Sequence, residues 1–221
     1  MSTQPLIAVL DNGTYFHHRT LHTPEFAPYF NRVIYARELD AAALADVDAL
    51  IVLDRTNPEL LIGHRQLLAD FLAADKTLVV LGESSPELWL DGVESTPCPT
   101  NFWWWLTPGA DSGLRLATPE HPLFRHMTLA DATWHQHATF RLPPGARSLV
   151  DMVDAGSILY EEIRPGAGRL IVTSLDPAYH HGSYFMPATT RFLRGFLSWL
   201  QESLQQSLQH KATANAHNIA A

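Results

Sequence analysis

Short apolar runs that stop at an acid or a glycine recur along the first part of the chain. Leu6–Leu10 stops at Asp11-Asn12-Gly13, Ala49–Leu53 at Asp54-Arg55, and Thr77–Leu81 at Gly82-Glu83. Continuous runs of this kind fit strands buried on both faces, as a parallel sheet requires. Val33–Ala36, β-branched and aromatic, is predicted as one more strand. Helical patterns separate these runs. Thr23-Pro24-Glu25 reads as the start of a helix carrying Phe26, Tyr29 and Phe30. A short Ala-rich helix is expected from Ala41. Leu60, Leu61, His64, Leu67, Leu68, Phe71 and Leu72 recur at three- and four-residue spacing and define one buried face. Strand and helix alternate, which predicts a parallel sheet with helices on both sides and right-handed crossovers.

The pattern changes between residues 91 and 144, where Pro and Gly are frequent. This part holds Trp103-Trp104-Trp105 and an alternating segment, Ala132–Leu142, and reads as irregular structure with one or two strands. Further strands are predicted at Arg147–Val153, Ser157–Ile163 and Gly168–Leu175, with Pro165–Gly168 as the turn between the last two. A closing helix begins near Pro187, with Phe192, Leu193, Phe196, Leu197, Leu200 and Leu204 as its apolar stripe. Residues 209–221 show no periodicity and are expected to be a disordered tail, leaving one domain over 5–208.

Composition adds constraints. With 221 residues, 46% of them hydrophobic, the chain can bury one substantial core. A net charge of −8 without a basic stripe argues against nucleic acid as a partner. Cys98 is the single cysteine, so an internal disulfide and a Cys-based zinc motif are excluded. The N-terminal segment lacks a basic region, and no run reaches the roughly 20 apolar residues that span a bilayer. A cytoplasmic protein with no membrane partner is the expectation. Twelve histidines stand out, many in pairs: His17-His18, His135-Gln136-His137 and His180-His181.

Several segments resemble the class I glutamine amidotransferase-like superfamily, and within it the ThuA-like branch. They are "HPLF" at 121–124, "WHQHATF" at 134–140, and "GRLIVTSLDPAYHH" at 168–181 followed by "TTRFLRGFLSWL". The resemblance implies a flavodoxin-like α/β fold, a mostly parallel sheet sandwiched by helices. Active members carry Gly-x-Cys-x-Gly at a strand-to-helix elbow and His-x-Glu after a late strand. Here the elbow reads Gly82-Glu83-Ser84-Ser85-Pro86, and the late position reads Asp176-Pro177-Ala178. Without the thiol and its base, glutaminase activity is not expected. The resemblance implies instead a small polar, carbohydrate-related ligand. The alternative is a catalytically inactive subunit or scaffold that works through protein contacts.

Candidate residues follow from position. Ligands of open α/β sheets bind beyond the carboxyl ends of the strands, which puts Asp11, Asn12, Arg55, Glu83, Ser84, Asp176, His180 and His181 in view. Asp11, Asn12, Arg55, Asp176 and His180 are read as ligand-binding residues, against the plainer reading of solvated loops. Ser84, Glu83, His135, His137 and His181 are read as catalytic, in hydrolase or lyase-type acid/base chemistry. For Ser84, helix capping at Ser85-Pro86 is the competing reading. His135 and His137, two apart on a predicted strand, share a face, so with His181 they are candidate ligands of a divalent metal; ordinary loop histidines are the alternative. His17, His18 and His22 read as surface loop histidines, and Glu161-Glu162 as a solvent-facing strand end. Trp103–Trp105 reads as core plus an interface, consistent with a homo-oligomer.

Overall fold

The computed structural model describes residues 4–99, 107–164 and 168–219, with side chains to residue 213. Trp103–Trp105 and most of the Pro165–Gly168 turn lie outside the described residues.

The chain runs β1 (Ile7–Asp11), α1 (Tyr15–His22), β2 (Arg32–Tyr35), α2 (Ala41–Leu44), β3 (Ala49–Val52), α3 (Pro58–Gly63), α4 (Arg65–Ala73) and β4 (Thr77–Val80). It continues with β5 (Glu94–Pro97), β6 (Leu114–Leu116), β7 (Ala138–Arg141), β8 (Arg147–Met152), β9 (Gly156–Ile163), β10 (Arg169–Thr173), α5 (Pro177–Gly182) and α6 (Pro187–Ile219). Among the described residues, one mixed sheet has the order β2-β1-β3-β4-β10-β9-β7-β5, with β8 on β9 and β6 on β8. β2, β1, β3, β4 and β10 are parallel to one another; β9 turns the sheet antiparallel from there on.

The parallel strands are apolar throughout because both of their faces are covered. Side chains alternate across the sheet. Ile7, Val9, Ile51, Val79 and Ile171 pack on one side with Leu21 of α1 and Phe192, Phe196 and Leu200 of α6. Ala8, Leu10, Leu50, Val52, Leu78, Val80 and Val172 pack on the other with Leu61, Leu68 and Phe71 of α3 and α4. Fully burying one such side chain contributes about 1.5–3 kcal/mol, so the two layers together hold the sheet.

Several local expectations are corrected. The first helix lies before Thr23-Pro24. Asp11 Oδ1 accepts the Gly13 N–H at 2.9 Å, and Thr14 then caps α1 by accepting the His17 N–H. Thr23 ends α1, its hydroxyl donating to the Arg19 carbonyl at 2.7 Å, and Pro24 holds it extended. His17, His18 and His22 therefore stand on a helix, and His17 is fully buried. The 60–72 pattern is split between α3 and α4 at His64, just after Gly63, a poor helix former. Only Ala138–Arg141 of the alternating 132–142 segment forms a strand. Glu161 faces inward rather than to solvent: it is buried, with His121 Nε2 at 3.0 Å and Arg169 Nε donating at 3.1 Å.

Past Gln209, where a disordered tail is expected, α6 continues to Ile219. Along this extension Lys211 Nζ pairs with Asp75 Oδ2 at 2.6 Å. No helix among the described residues is long and apolar enough to cross a membrane.

Candidate functional site

Because β1, β3, β4 and β10 are parallel, their carboxyl ends open onto one edge of the sheet. Asp54, just past β3, turns inward and is completely buried. Its Oδ2 accepts the Ala178 N–H at 2.7 Å and its Oδ1 the Tyr179 N–H at 3.0 Å, so it caps the first turn of α5 from across the sheet. His17 Nε2–H donates to the Asp54 carbonyl at 2.8 Å, which leaves Nδ1 to accept the Asn12 N–H at 3.3 Å. Burial raises the Asp54 pKa; His17 opposes the rise, and the nearby Asp176 charge adds to it. Asp54→Ala strands two buried N–H groups, and a loss of about 3 kcal/mol is expected. Urea denaturation checks this; an unchanged midpoint would show that the cap contributes nothing.

Asp176 precedes α5 and makes no side-chain cap, so its carboxylate is available for other partners. Trp134 Nε1–H donates to Oδ1 at 3.1 Å. Around Oδ2 lie Arg55 Nη2 at 3.3 Å, His180 Nε2 at 3.3 Å and His137 Nε2 at 3.5 Å. His180 Nε2 is also 3.1 Å from His135 Nε2. Burial by itself would raise the Asp176 pKa, but His137 and His180 outweigh it and hold the group well below the carboxylate range. His135 goes the other way. Burial pushes it down to about 4; Asp176 pulls upward, and His180, His137 and Arg55 add to the fall.

An outer layer faces solvent. Arg55 Nη2 pairs with Glu83 Oε2 at 2.8 Å, and His137 Nδ1 with Glu83 Oε1 at 3.1 Å. The Arg55 guanidinium lies 3.6 Å over the Tyr179 ring. Arg55 and Glu83 are 34% and 36% exposed and His137 17%, whereas Asp176 is 0% and His180 4%, which separates a reachable rim from a buried floor. A cleft of about 170 Å³ opens beside the rim, lined by Glu83, Ser85, Ser95, His137 and Ser174 among others. His137 stands between the Glu83 and Asp176 carboxylates, and Glu83 is the more exposed of the two.

Glu83, Arg55, His135, His137, Asp176 and His180 are thus brought together. Asp11 and Asn12 meet His17 instead, with Asp11 Oδ1 3.8 Å from its Nδ1, and His17 leads to Asp54 rather than to this group. Ser84 is not on the rim. It is fully buried, and its Oγ has no hydrogen-bond partner among the described residues. Its carbonyl accepts the Trp89 Nε1–H at 2.8 Å. Ser85 borders the cleft instead, in the left-handed region at φ 48°, and starts the one-turn helix Pro86–Leu88 without a side-chain cap.

His181 lies apart from this group. It turns away to Thr190 Oγ1 at 2.8 Å and Thr23 Oγ1 at 3.3 Å, with its ring 4.9 Å from that of Phe26. Successive helical residues point about 100° apart, so His180 and His181 cannot both face the site. Trp134 and Tyr179 are contributors that sequence reasoning missed. The only available signal for Trp134 was its place in "WHQH", directly before the two histidines.

No protein-family model matches the chain, and no curated protein matches it in sequence. Solved structures do match. A GMP synthase-like protein of Thermoplasma acidophilum superposes with a TM-score of 0.60 at 12% identity, over 96% of this chain and 100% of its own. A glutamine amidotransferase of Thermotoga maritima gives 0.53 at 9% identity, over 96% and 93%. A ThuA-like protein of Bacteroides uniformis gives 0.51 at 10% identity, over 87% and 90%. At such identities the likeness is one of fold, and on that footing the chain has the class I glutamine amidotransferase-like α/β fold.

Proposed function

We propose that this chain binds a small polar ligand, carbohydrate-related in class, at the strand-exit cleft, and that it is not a glutaminase. The observation that carries the reading is the convergence of Arg55, Glu83 and His137, from three separate segments, on one solvent-facing rim above a buried carboxylate. The rim offers donors and acceptors side by side, as recognition of hydroxyl-rich molecules needs. The carbohydrate class is what the ThuA-like sequence resemblance implies. Any turnover at the site is acid/base chemistry of the hydrolase or lyase type, with Glu83 facing the ligand and His137 sharing its proton. Serine sits at the elbow position and Asp176 where the thiol's base would be, which supports the absence of glutamine hydrolysis.

A thermal-shift screen of neutral and acidic sugars tests this. A ligand at about 100 times its Kd stabilises the folded protein by about 2.7 kcal/mol, a readily measured rise in Tm. The rise is expected in the parent and absent from Glu83→Gln and Arg55→Ala. A protein that no sugar stabilises, or that both variants leave equally stabilised, would fit a scaffold working through protein contacts instead. Ammonia release from glutamine would overturn the second half of the reading.

A further inference from the structure

We propose that His135, His137 and Asp176 form a binding site for a first-row divalent metal ion, zinc being the best match. The inference deepens the reading of the strand-exit site and rests on the same cluster, but it does not need an organic ligand. Each of the three residues offers one donor atom, and all of these atoms lie within 4.8 Å of one another. A tetrahedral ion with bonds of about 2.0–2.1 Å keeps its ligands about 3.3–3.4 Å apart. His137 Nε2 is 3.5 Å from Asp176 Oδ2, close to that edge length. Two imidazoles and one carboxylate are the mixed nitrogen and oxygen set that zinc and its neighbours accept.

The surroundings are those of a supported site. Metal-bound histidines characteristically donate their other ring N–H to a carboxylate, which fixes the tautomer. His137 has such a carboxylate at hand: Nδ1 lies 3.1 Å from Glu83 Oε1, while Nε2 is buried without a hydrogen-bond partner among the described residues. Asp176 is oriented in the same manner, since Trp134 occupies Oδ1 and leaves Oδ2 toward the histidines. His180 Nε2, 3.1 Å from His135 and 3.3 Å from Asp176, borders the set. Three protein donors match the sites that keep one position for water or substrate.

Arg55 opposes the ion, its Nη2 lying 3.3 Å from Asp176 Oδ2. When the ion takes Oδ2, Arg55 retains Glu83 as its partner at 2.8 Å. Arg55 is therefore a built-in competitor, and its removal should act in the direction opposite to loss of a ligand.

The test uses full-length protein stripped with a chelator and dialysed against Zn²⁺ or Co²⁺ without any sugar. One ion per chain is expected by elemental analysis, with Co²⁺ showing a tetrahedral absorption spectrum. His137→Ala and Asp176→Asn should each abolish stoichiometric binding, and Glu83→Gln should weaken it about 10–100-fold. His181→Ala should leave binding unchanged, and Arg55→Ala should tighten it, so misfolding cannot imitate the whole pattern. No stoichiometric ion in the parent, or equal binding by His137→Ala, overturns the proposal. The failures separate: a parent that binds no stoichiometric ion but shows a sugar-induced Tm rise sinks this inference alone, and metal binding without any sugar shift sinks only the ligand reading.

Discussion

Gly82→Ala is expected to cost about 2–5 kcal/mol of folding stability, combining left-handed backbone strain with an overpacked contact. Gly82 carries the chain out of β4 at φ 55°, between the two buried carboxylates. A Cβ there would stand 2.4 Å from Asp54 Cβ and 3.0 Å from Asp176 Cβ, so neither carboxylate could keep its place. The same change should therefore disable the site, since Asp54 positions α5 and Asp176 gathers the histidines. Gly92→Ala is the control: φ is 80°, but nothing lies within 4 Å of the added carbon. Urea unfolding of both variants separates strain from collision. If both lose the same amount, the close approach to Asp54 and Asp176 carries no cost.

The second large effect lies at the other end of the sheet. Glu161 is buried, yet His121 and Arg169 together outweigh that burial and hold its carboxyl down at about 2, against 4.5 for a free side chain. A depressed carboxylate pKa contributes stability in full above the unfolded value and loses it as the pH falls through the folded one. The window here runs from about pH 4.5 down to about pH 2, and the shift corresponds to about 3 kcal/mol. Glu161→Gln should thus be about 3 kcal/mol less stable than the parent at pH 7. The gap should close as the pH is lowered across that window, because the parent's own carboxyl then takes up its proton. A gap independent of pH would mean that the loss comes from packing alone.

The parallel strands were legible because a strand covered on both faces has no polar alternation to obscure it, as Ile7–Leu10 and Thr77–Val80 show. The first helix was misplaced because Thr14 and Thr23 are equally good capping types. Their roles are decided by the Gly13 turn, which feeds α1 directly, and by Pro24, which stops it. At the site, the acids at the strand exits were visible because each ends an apolar run. The choice between His180 and His181 was not, since the phase of α5 is fixed by Asp54, 124 residues earlier. Ser84 looked reachable for the same reason of local pattern, and only the packing of Trp89 against its carbonyl shows it enclosed. Glu161 looked solvent-facing because its partner Arg169 lies on the next strand and His121 lies 40 residues before it.

The pairing of β4 with β10 has a consequence for how the molecule is made. Thr77–Val80 finds its outer neighbour only at Arg169–Val172, after the whole middle of the chain has been synthesised. Until then β4 is an open edge with unpaired amides and apolar side chains on both faces, the kind of edge that recruits other chains. Closing so long a loop is slow, and Asp176 arrives only with that last strand. The cluster around it is thus a late product of folding. A chain that ends before Arg169 would leave a sticky half-sheet instead of a smaller working protein.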